Sequence, residues 1–194
     1  MTAGVNPAYA PGNLKVRAFF GLAVPEAVRR ELEPYLAACA AIAPEFRWVP
    51  AQNLHLTVRF IGNIELTVVE GIADRLAEGA LKSFELALGG VGTFKRGRMV
   101  RVVWIQVSTG AKAARELAAQ VESECAAAGL APEARPFQPH LTLARARPRE
   151  GAPLPQLPDP PRLEPWRADE LVLYRSQLGR AGSVYEALRI IRLS

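Results

Sequence analysis

Histidine occurs only twice in the 194-residue chain, and a threonine follows each histidine two positions later. The tetrapeptides are His-Leu-Thr-Val at 55–58 and His-Leu-Thr-Leu at 140–143, in a chain with six threonines. Side chains at positions i and i+2 of a strand face the same way, so His55 with Thr57 and His140 with Thr142 would each line one surface. A single such pair is typical of a structural histidine, but two of them predict a shared site.

Two imidazoles that titrate near neutral pH can supply one acid and one base. This chemistry suits hydrolysis of a cyclic phosphodiester: one histidine takes a proton from the attacking water, and the other protonates the departing ribose oxygen. Threonine hydroxyls and backbone amides would hold the non-bridging oxygens. A metal site needs three or four ligands, and the segments around His55 and His140 offer no carboxylate or cysteine at ligand spacing. We therefore expect no metal and no cofactor.

The order strand, helix, strand occurs twice along the chain. The periodicity predicts a strand at 16–24, a helix from 25 to about 41 and a strand at 54–62, and then a strand at 100–107, a helix at 111–128 and a strand starting at His140. Cys39 lies 16 residues before His55, and Cys125 lies 15 before His140. This matched spacing indicates an internal duplication, with both cysteines as buried free thiols.

The remaining segments connect or complete the two halves. We expect a helix at 66–80, strands at 84–88 and 91–94 broken by Gly89-Gly90, an irregular proline-rich loop at 148–165, and a closing hairpin of 170–176 and 184–191 turned at 179–182. Residues 1–14 are predicted to form a disordered tail, and residues 15–194 a single domain of two lobes.

The net charge of +5 and the pI near 9.6 favour an anionic partner such as a phosphate or a nucleic acid, although a solvated basic surface would give the same composition. No stretch approaches the roughly 18 uninterrupted apolar residues of a membrane span, and the first 13 residues lack the pattern of a signal peptide. We therefore expect no membrane partner, a cytoplasmic location and a monomer.

Three segments resemble the 2H phosphoesterase superfamily, specifically its LigT-like RNA 2',3'-cyclic phosphodiesterases. They read NLHLTVRFIG at 53–62, RPFQPHLTLAR at 135–145 and LYRSQLGRAGSVYEAL at 173–188, and the resemblance extends over about 16–192. It implies an α+β, bilobal, duplicated fold, in which antiparallel sheets line a central cleft and helices pack outside.

The resemblance also implies roles for individual residues. The first-motif histidine, His55, would be the proton donor and His140 the acceptor, an order that the residues alone do not give. Arg145, three residues beyond the second threonine, would bind the substrate phosphate, which its bidentate fork suits. Arg135 could contact the substrate or form a surface salt bridge.

Aromatic and basic residues outside the motifs are open to two interpretations. Phe94, Trp104 and Tyr185 could stack a nucleobase or pack in the core. The basic run at 95–98 could follow an RNA backbone or form a solvated turn.

The sequence thus predicts a metal-independent phosphodiesterase that opens the 2',3'-cyclic phosphate of RNA or an oligonucleotide to a 2'-phosphate. Within the same chemistry, the substrate could be a 2'-5' linked oligonucleotide, a small cyclic nucleotide phosphate or a tRNA-splicing intermediate, with reversible 2'-5' ligation as the back-reaction. A non-catalytic protein that binds RNA ends is the alternative from another class.

Overall fold

The computed structural model describes residues 14–179 and 182–194. These residues form three α-helices and nine β-strands: β1 Lys15–Ala23, α1 Glu26–Ile42, β2 Phe46–Trp48, β3 His55–Glu65, α2 Leu66–Glu78, β4 Phe84–Arg96, β5 Met99–Thr109, α3 Ala111–Ala127, β6 His140–Ala146, β7 Trp166–Ala168, β8 Glu170–Gly179 and β9 Gly182–Arg192. The predicted tail, apart from Leu14, and residues 180–181 of the predicted turn lie outside the described residues.

The strands form two antiparallel sheets. The first sheet has the order β3-β1-β8-β9, and the second has the order β2-β6-β5-β4-β7. The predicted α+β class with two antiparallel sheets is confirmed.

The duplication predicted from the spacing of the motifs is visible in the topology. The order β1, α1, β3 in the first half, with the short β2 before β3, corresponds to the order β5, α3, β6 in the second half. The two long strands of each unit pair with each other, β3 with β1 and β6 with β5. His55 is the first residue of β3, and His140 is the first residue of β6. The two motif histidines therefore occupy equivalent positions at the start of equivalent strands.

The core lies between the sheets and the helices, and each helix buries one of its faces in it. The apolar residues of the two motifs belong to the core: Leu56 and Val58 in the first motif and Leu141 and Leu143 in the second are all buried. Cys39 of α1 and Cys125 of α3 are buried free thiols, as predicted. Helix α3 packs on β3, so a helix of the second repeat contacts the motif strand of the first.

Two differences from the predicted elements have local causes. β4 is continuous from Phe84 to Arg96, because its pairing with β5 skips one residue between Leu88 and Val91, and Gly89-Gly90 forms a bulge instead of a break. β2 and β7 were not predicted, since three residues are too few to show a period-2 pattern. No helix in the two described ranges is long and apolar enough to cross a membrane.

Candidate active site

The imidazole of His55 is fixed by hydrogen bonds at both ring nitrogens. Its Nδ1 lies 2.7 Å from the main-chain oxygen of Asn53, and its Nε2 lies 3.1 Å from Oγ1 of Thr57. A carbonyl oxygen only accepts, so Nδ1 carries the hydrogen and Nε2 is the nitrogen that titrates. In the neutral ring the threonine hydroxyl donates to Nε2, which therefore sits beside the hydroxyl predicted to contact phosphate.

His140 is held in the equivalent way. Its Nδ1 donates to the main-chain oxygen of Gln138 at 2.6 Å, two residues earlier in the chain, just as His55 donates to Asn53. The duplicated strand start therefore fixes the same tautomer on both rings and leaves Nε2 of each as the nitrogen able to exchange a proton.

Aromatic rings surround both histidines. The rings of Phe19 and Tyr185 lie 4.6 and 5.0 Å from that of His55, centroid to centroid. The rings of Phe94 and Trp104 lie 5.1 and 5.9 Å from that of His140. These contacts restrict each imidazole to one orientation and remove much of its hydration.

A register shift in each motif strand determines which side chains share a face with the threonines. Pairing with β1 skips Val58 between Thr57 and Arg59, and pairing with β5 skips Leu143 between Thr142 and Ala144. A strict period of two would direct Arg145 to the side opposite Thr142. The extra residue reverses the alternation, and Arg145 lines the same cavity as Thr142.

This cavity has a volume of about 410 Å³ and brings both repeats together. Its walls include His55 and Thr57 from the first motif and Thr142 and Arg145 from the second. His140 is half-buried beside the cavity and is not one of its lining side chains. His55, Thr57 and Thr142 of the two motifs thus line one space together with Arg145.

A second cavity of about 510 Å³ lies on the other side of His55. It is lined by the start of α1, by the segment 166–170 and by Tyr174, and it contains neither threonine nor Arg145. We assign the chemistry to the smaller cavity, because it is the one of the two that is lined by both motif threonines and Arg145 as well as by His55.

Burial and the positive charge of Arg145 lower the pKa of both motif histidines. The pKa of His55 is lowered to about 4, mainly by burial and to a smaller extent by the positive charges of Arg145 and of protonated His140, whereas the bond to Asn53 opposes the change. Burial, and then Arg145, also lower the pKa of His140. β3 and β6, the strands that begin with these two histidines, contact each other although they belong to different sheets.

A family profile described as the 2'-5' RNA ligase superfamily matches residues 24–180, which include both motifs and Arg145. The chain belongs to this superfamily. The predicted resemblance to the 2H phosphoesterases is therefore confirmed.

Named relatives and a solved structure support the assignment to the superfamily. The chain is 39% identical to the RNA 2',3'-cyclic phosphodiesterase of Aeropyrum pernix over 99 residues, which cover 51% of this chain and 56% of that protein, so this match spans about half the length of each. It is 29% identical to the protein of the same name from Methanothermobacter thermautotrophicus over 93% of this chain and all of that one. The crystal structure of Escherichia coli LigT complexed with 3'-AMP has a TM-score of 0.80 and 26% identity, covering 93% of this chain and 99% of that one.

Of the other positions predicted from the sequence of this superfamily member, Tyr185 lines the cavity, and Arg135, Phe94 and Trp104 do not. Arg135 is exposed in the segment before β6 and does not line the cavity, so its contact with substrate stays a prediction. Trp104 is only 9% exposed and packs as a core residue, whereas Tyr185 lines the cavity. Among the residues that the structure describes, no group of three or more histidine, cysteine or acidic side chains is arranged to hold a metal ion.

Sequence reasoning missed two residues that position the motifs. Asn53 accepts the bond from His55, and its side-chain Nδ2 donates to the main-chain oxygen of Ser183 at 2.8 Å, so the residue joins the motif to β9. The Asn-Leu-His segment contains this residue, but only the fold shows its partner in β9.

Arg59 ties the first motif strand to the chain that leads into the second. It is 8% exposed, pairs with Glu122 of α3 at 2.7 Å and with Glu133 at 2.5 Å, and donates to the main-chain oxygen of Ala131 at 2.6 Å. These contacts hold the segment 131–139, and with it the start of β6, against β3.

Proposed function

We propose that this protein hydrolyses the 2',3'-cyclic phosphate at the end of an RNA or oligonucleotide to a 2'-phosphomonoester. One observation carries the proposal: His55, both motif threonines and Arg145 line one cavity, and His55 and His140 are each held through Nδ1 by the carbonyl two residues earlier. The names of the relatives from A. pernix and M. thermautotrophicus support the same activity.

In this proposal, Arg145 and the two threonines bind the phosphate. The guanidinium donates to two non-bridging oxygens, and the hydroxyls of Thr57 and Thr142 supply further donors where charge accumulates in the transition state. Arg145 approaches from the second repeat and Thr57 from the first, so the phosphate is held between the repeats.

The two histidines transfer the protons. Water attacks phosphorus, the bond from phosphorus to O3' breaks, and O2' keeps the phosphate. Nε2 of one histidine takes the proton released by the water, and Nε2 of the other delivers a proton to O3'. With the donor and acceptor roles implied by the family, His140 is the base and His55 the acid.

His55 can act as the acid only when it carries a proton on Nε2. Without a bound anion it is neutral at pH 7, because its pKa is about 4. The negative charge of a bound phosphate favours the imidazolium and raises this pKa. The bound phosphate thus favours protonation of His55. The burial of His55 then favours release of this proton to O3'.

The assay is hydrolysis of an oligonucleotide with a 2',3'-cyclic phosphate end, in EDTA, by the protein and by its His55→Ala and His140→Ala variants. Each substitution should lower kcat by about 10² or more. Loss of turnover in EDTA, or full activity in either variant, contradicts the two-histidine mechanism. Salt-sensitive binding without product would instead identify a non-catalytic protein that binds RNA ends.

A second candidate activity is 2'-5' ligation, favoured by the description of the matching family. It is the reverse of cleavage at a 2'-5' linkage and would use the same groups. Comparing cyclic-phosphate RNA, 2'-5' linked oligonucleotides and small cyclic nucleotides in both directions would rank the substrates. A monomeric state and a cytoplasmic location stay predictions.

A further inference from the structure

The β4–β5 hairpin carries positive charge that the proposed mechanism does not use. Residues 86–109 include no acidic side chain, and they include four basic ones: Lys95, Arg96, Arg98 and Arg101. All four are exposed, and among the described residues none of them forms an ion pair with a carboxylate. A basic surface that lacks acidic partners attracts an anionic chain.

A bulge directs Arg101 to the side of the sheet that binds the phosphate. β4 pairs Phe94 with Val102 and Lys95 with Val100, so Arg101 is an extra residue of β5. Val100 and Val103 are buried, and the two residues between them face away from the core. Val102 is the β5 partner of Arg145, so Arg101 lies one residue beyond it on the same face. A solvated turn at 95–98 would need no such bulge.

Arg145 has a cation on each side. Its partner in β2 is Arg47, and Arg101 lies next to its partner in β5. Burial lowers the pKa of Arg145, Tyr185 opposes the change, and the positive charge of Arg101 adds to it. Like charges on neighbouring strands destabilise a sheet, so an anion bound between these arginines is favoured. β2 is the edge of the sheet, whereas on the β5 side the positive charge continues into the hairpin.

The turn of the hairpin is tight. Arg96 pairs with Met99, so only Gly97 and Arg98 form the turn, and Gly97 has a φ of 59°. A positive φ at the first central residue is typical of the two-residue turns that match the twist of a hairpin. From Val102 to Met99, β5 rises by roughly 10 Å, which is about the length of three stacked nucleotides. The backbone therefore holds Arg96 and Arg98 a few nucleotides away from Arg145.

We infer that the β4–β5 hairpin binds the phosphodiesters that precede the cyclic end of an RNA strand. Arg101 contacts the phosphodiester next to the terminal nucleotide, and Arg96 and Arg98 contact those further along the strand. This inference rests on the proposed function and deepens it, since it makes a strand of several nucleotides, and not a mononucleotide, the preferred substrate. Contacts to phosphates carry no sequence information, so the hairpin selects length without selecting bases.

The experiment uses substrates that all end in adenosine 2',3'-cyclic phosphate. The first is the mononucleotide. The second is a tetranucleotide in which deoxythymidines joined by phosphodiesters precede the adenosine, and the third is the same tetranucleotide with uncharged methylphosphonate linkages. The wild-type protein should have a kcat/KM roughly tenfold or more higher for the charged tetranucleotide than for the other two, mainly through KM, and this preference should decline as the salt concentration rises.

Arg101→Gln should lower kcat/KM for the charged tetranucleotide roughly tenfold and leave the other two substrates unchanged. The double variant Arg96→Gln/Arg98→Gln changes only exposed residues at the hairpin turn and should act in the same direction. Each lost phosphate contact should reduce the slope of log kcat/KM against log salt concentration by about 0.7. Arg115→Gln is the matched control, because it removes the same charge from an exposed arginine of α3, which follows the end of β5 opposite the turn.

The outcomes separate the hairpin from the chemistry. Equal kcat/KM values for the two tetranucleotides in the wild type overturn the hairpin site while the hydrolase stands. No fall, or an equal fall for all substrates, in a folded Arg101→Gln protein does the same, and so does an equal loss in Arg115→Gln. If the wild type hydrolyses none of the substrates, the proposed function fails. The Kd values of the tetranucleotides then test the hairpin: the charged one should bind more tightly to the wild type than to Arg101→Gln, and equal affinities for both in the wild type overturn the site.

Discussion

His55 should make the protein sensitive to acid, and the size of the effect follows from its surroundings. Its pKa is about 4 in the folded protein, mainly because of burial, against about 6.5 in an unfolded chain. Between these values the unfolded state binds more protons, so stability falls as the pH falls from about 6.5 to 4. His55 alone should cost about 2 kcal/mol between pH 7 and pH 5, approaching about 3 kcal/mol below pH 4.

The measurement is urea unfolding at pH 7 and pH 5 for the wild type and His55→Asn. Asparagine does not titrate, and its amide can still donate to the main-chain oxygen of Asn53. Other groups titrate in both proteins, so the quantity that tests the reasoning is the difference between the two losses. The variant should lose about 2 kcal/mol less than the wild type. Equal losses would refute the claim that burial holds His55 neutral.

Three further substitutions test other parts of the site. Arg145→Gln should raise the pKa of both motif histidines in an NMR titration, since their positive neighbour is removed, and should weaken phosphate binding by roughly tenfold or more; unchanged pKa values contradict this. Gly92→Ala should cost about 1–3 kcal/mol in thermal unfolding, because the new methyl would lie 2.4 Å from the Trp104 ring; an unchanged Tm contradicts it. Arg59→Met should lower the free energy of unfolding, measured in urea, by about 2 kcal/mol. Its control Arg75→Met, which breaks a solvent-accessible ion pair, should lower it by under about 1 kcal/mol. Equal losses would contradict a stabilising role for the buried Arg59.

The parts of the fold that follow from local patterns were predictable from the sequence. Both strand-helix-strand units, α2 and the closing β8-β9 pair were predicted close to their observed bounds, because each has a long periodic pattern. The duplication was also predictable, since the spacing from Cys39 to His55 and from Cys125 to His140 is nearly the same. These features depend only on residues near one another in the chain.

The features that were not predictable depend on distant residues or on one extra residue in a strand. The alternation of side chains along a strand correctly places His140 and Thr142 on one face of β6, but it places Arg145 on the opposite face. Only the family resemblance predicted that Arg145 binds the phosphate. Arg59 and Glu133 are 74 positions apart, so no local pattern connects them.

The duplicated scaffold explains why the two histidines are alike and also why they can perform different tasks. Nearly the same Nδ1 bond fixes each tautomer, so the backbone does not distinguish an acid from a base. The difference arises from neighbours: Nε2 of His55 contacts the hydroxyl of Thr57, and the wall beside His55 carries Phe60, whereas β6 carries Arg145 beyond His140. If His55 and His140 take different proton roles, we expect the difference to come from these neighbours, because the bonds that fix the two rings are nearly the same.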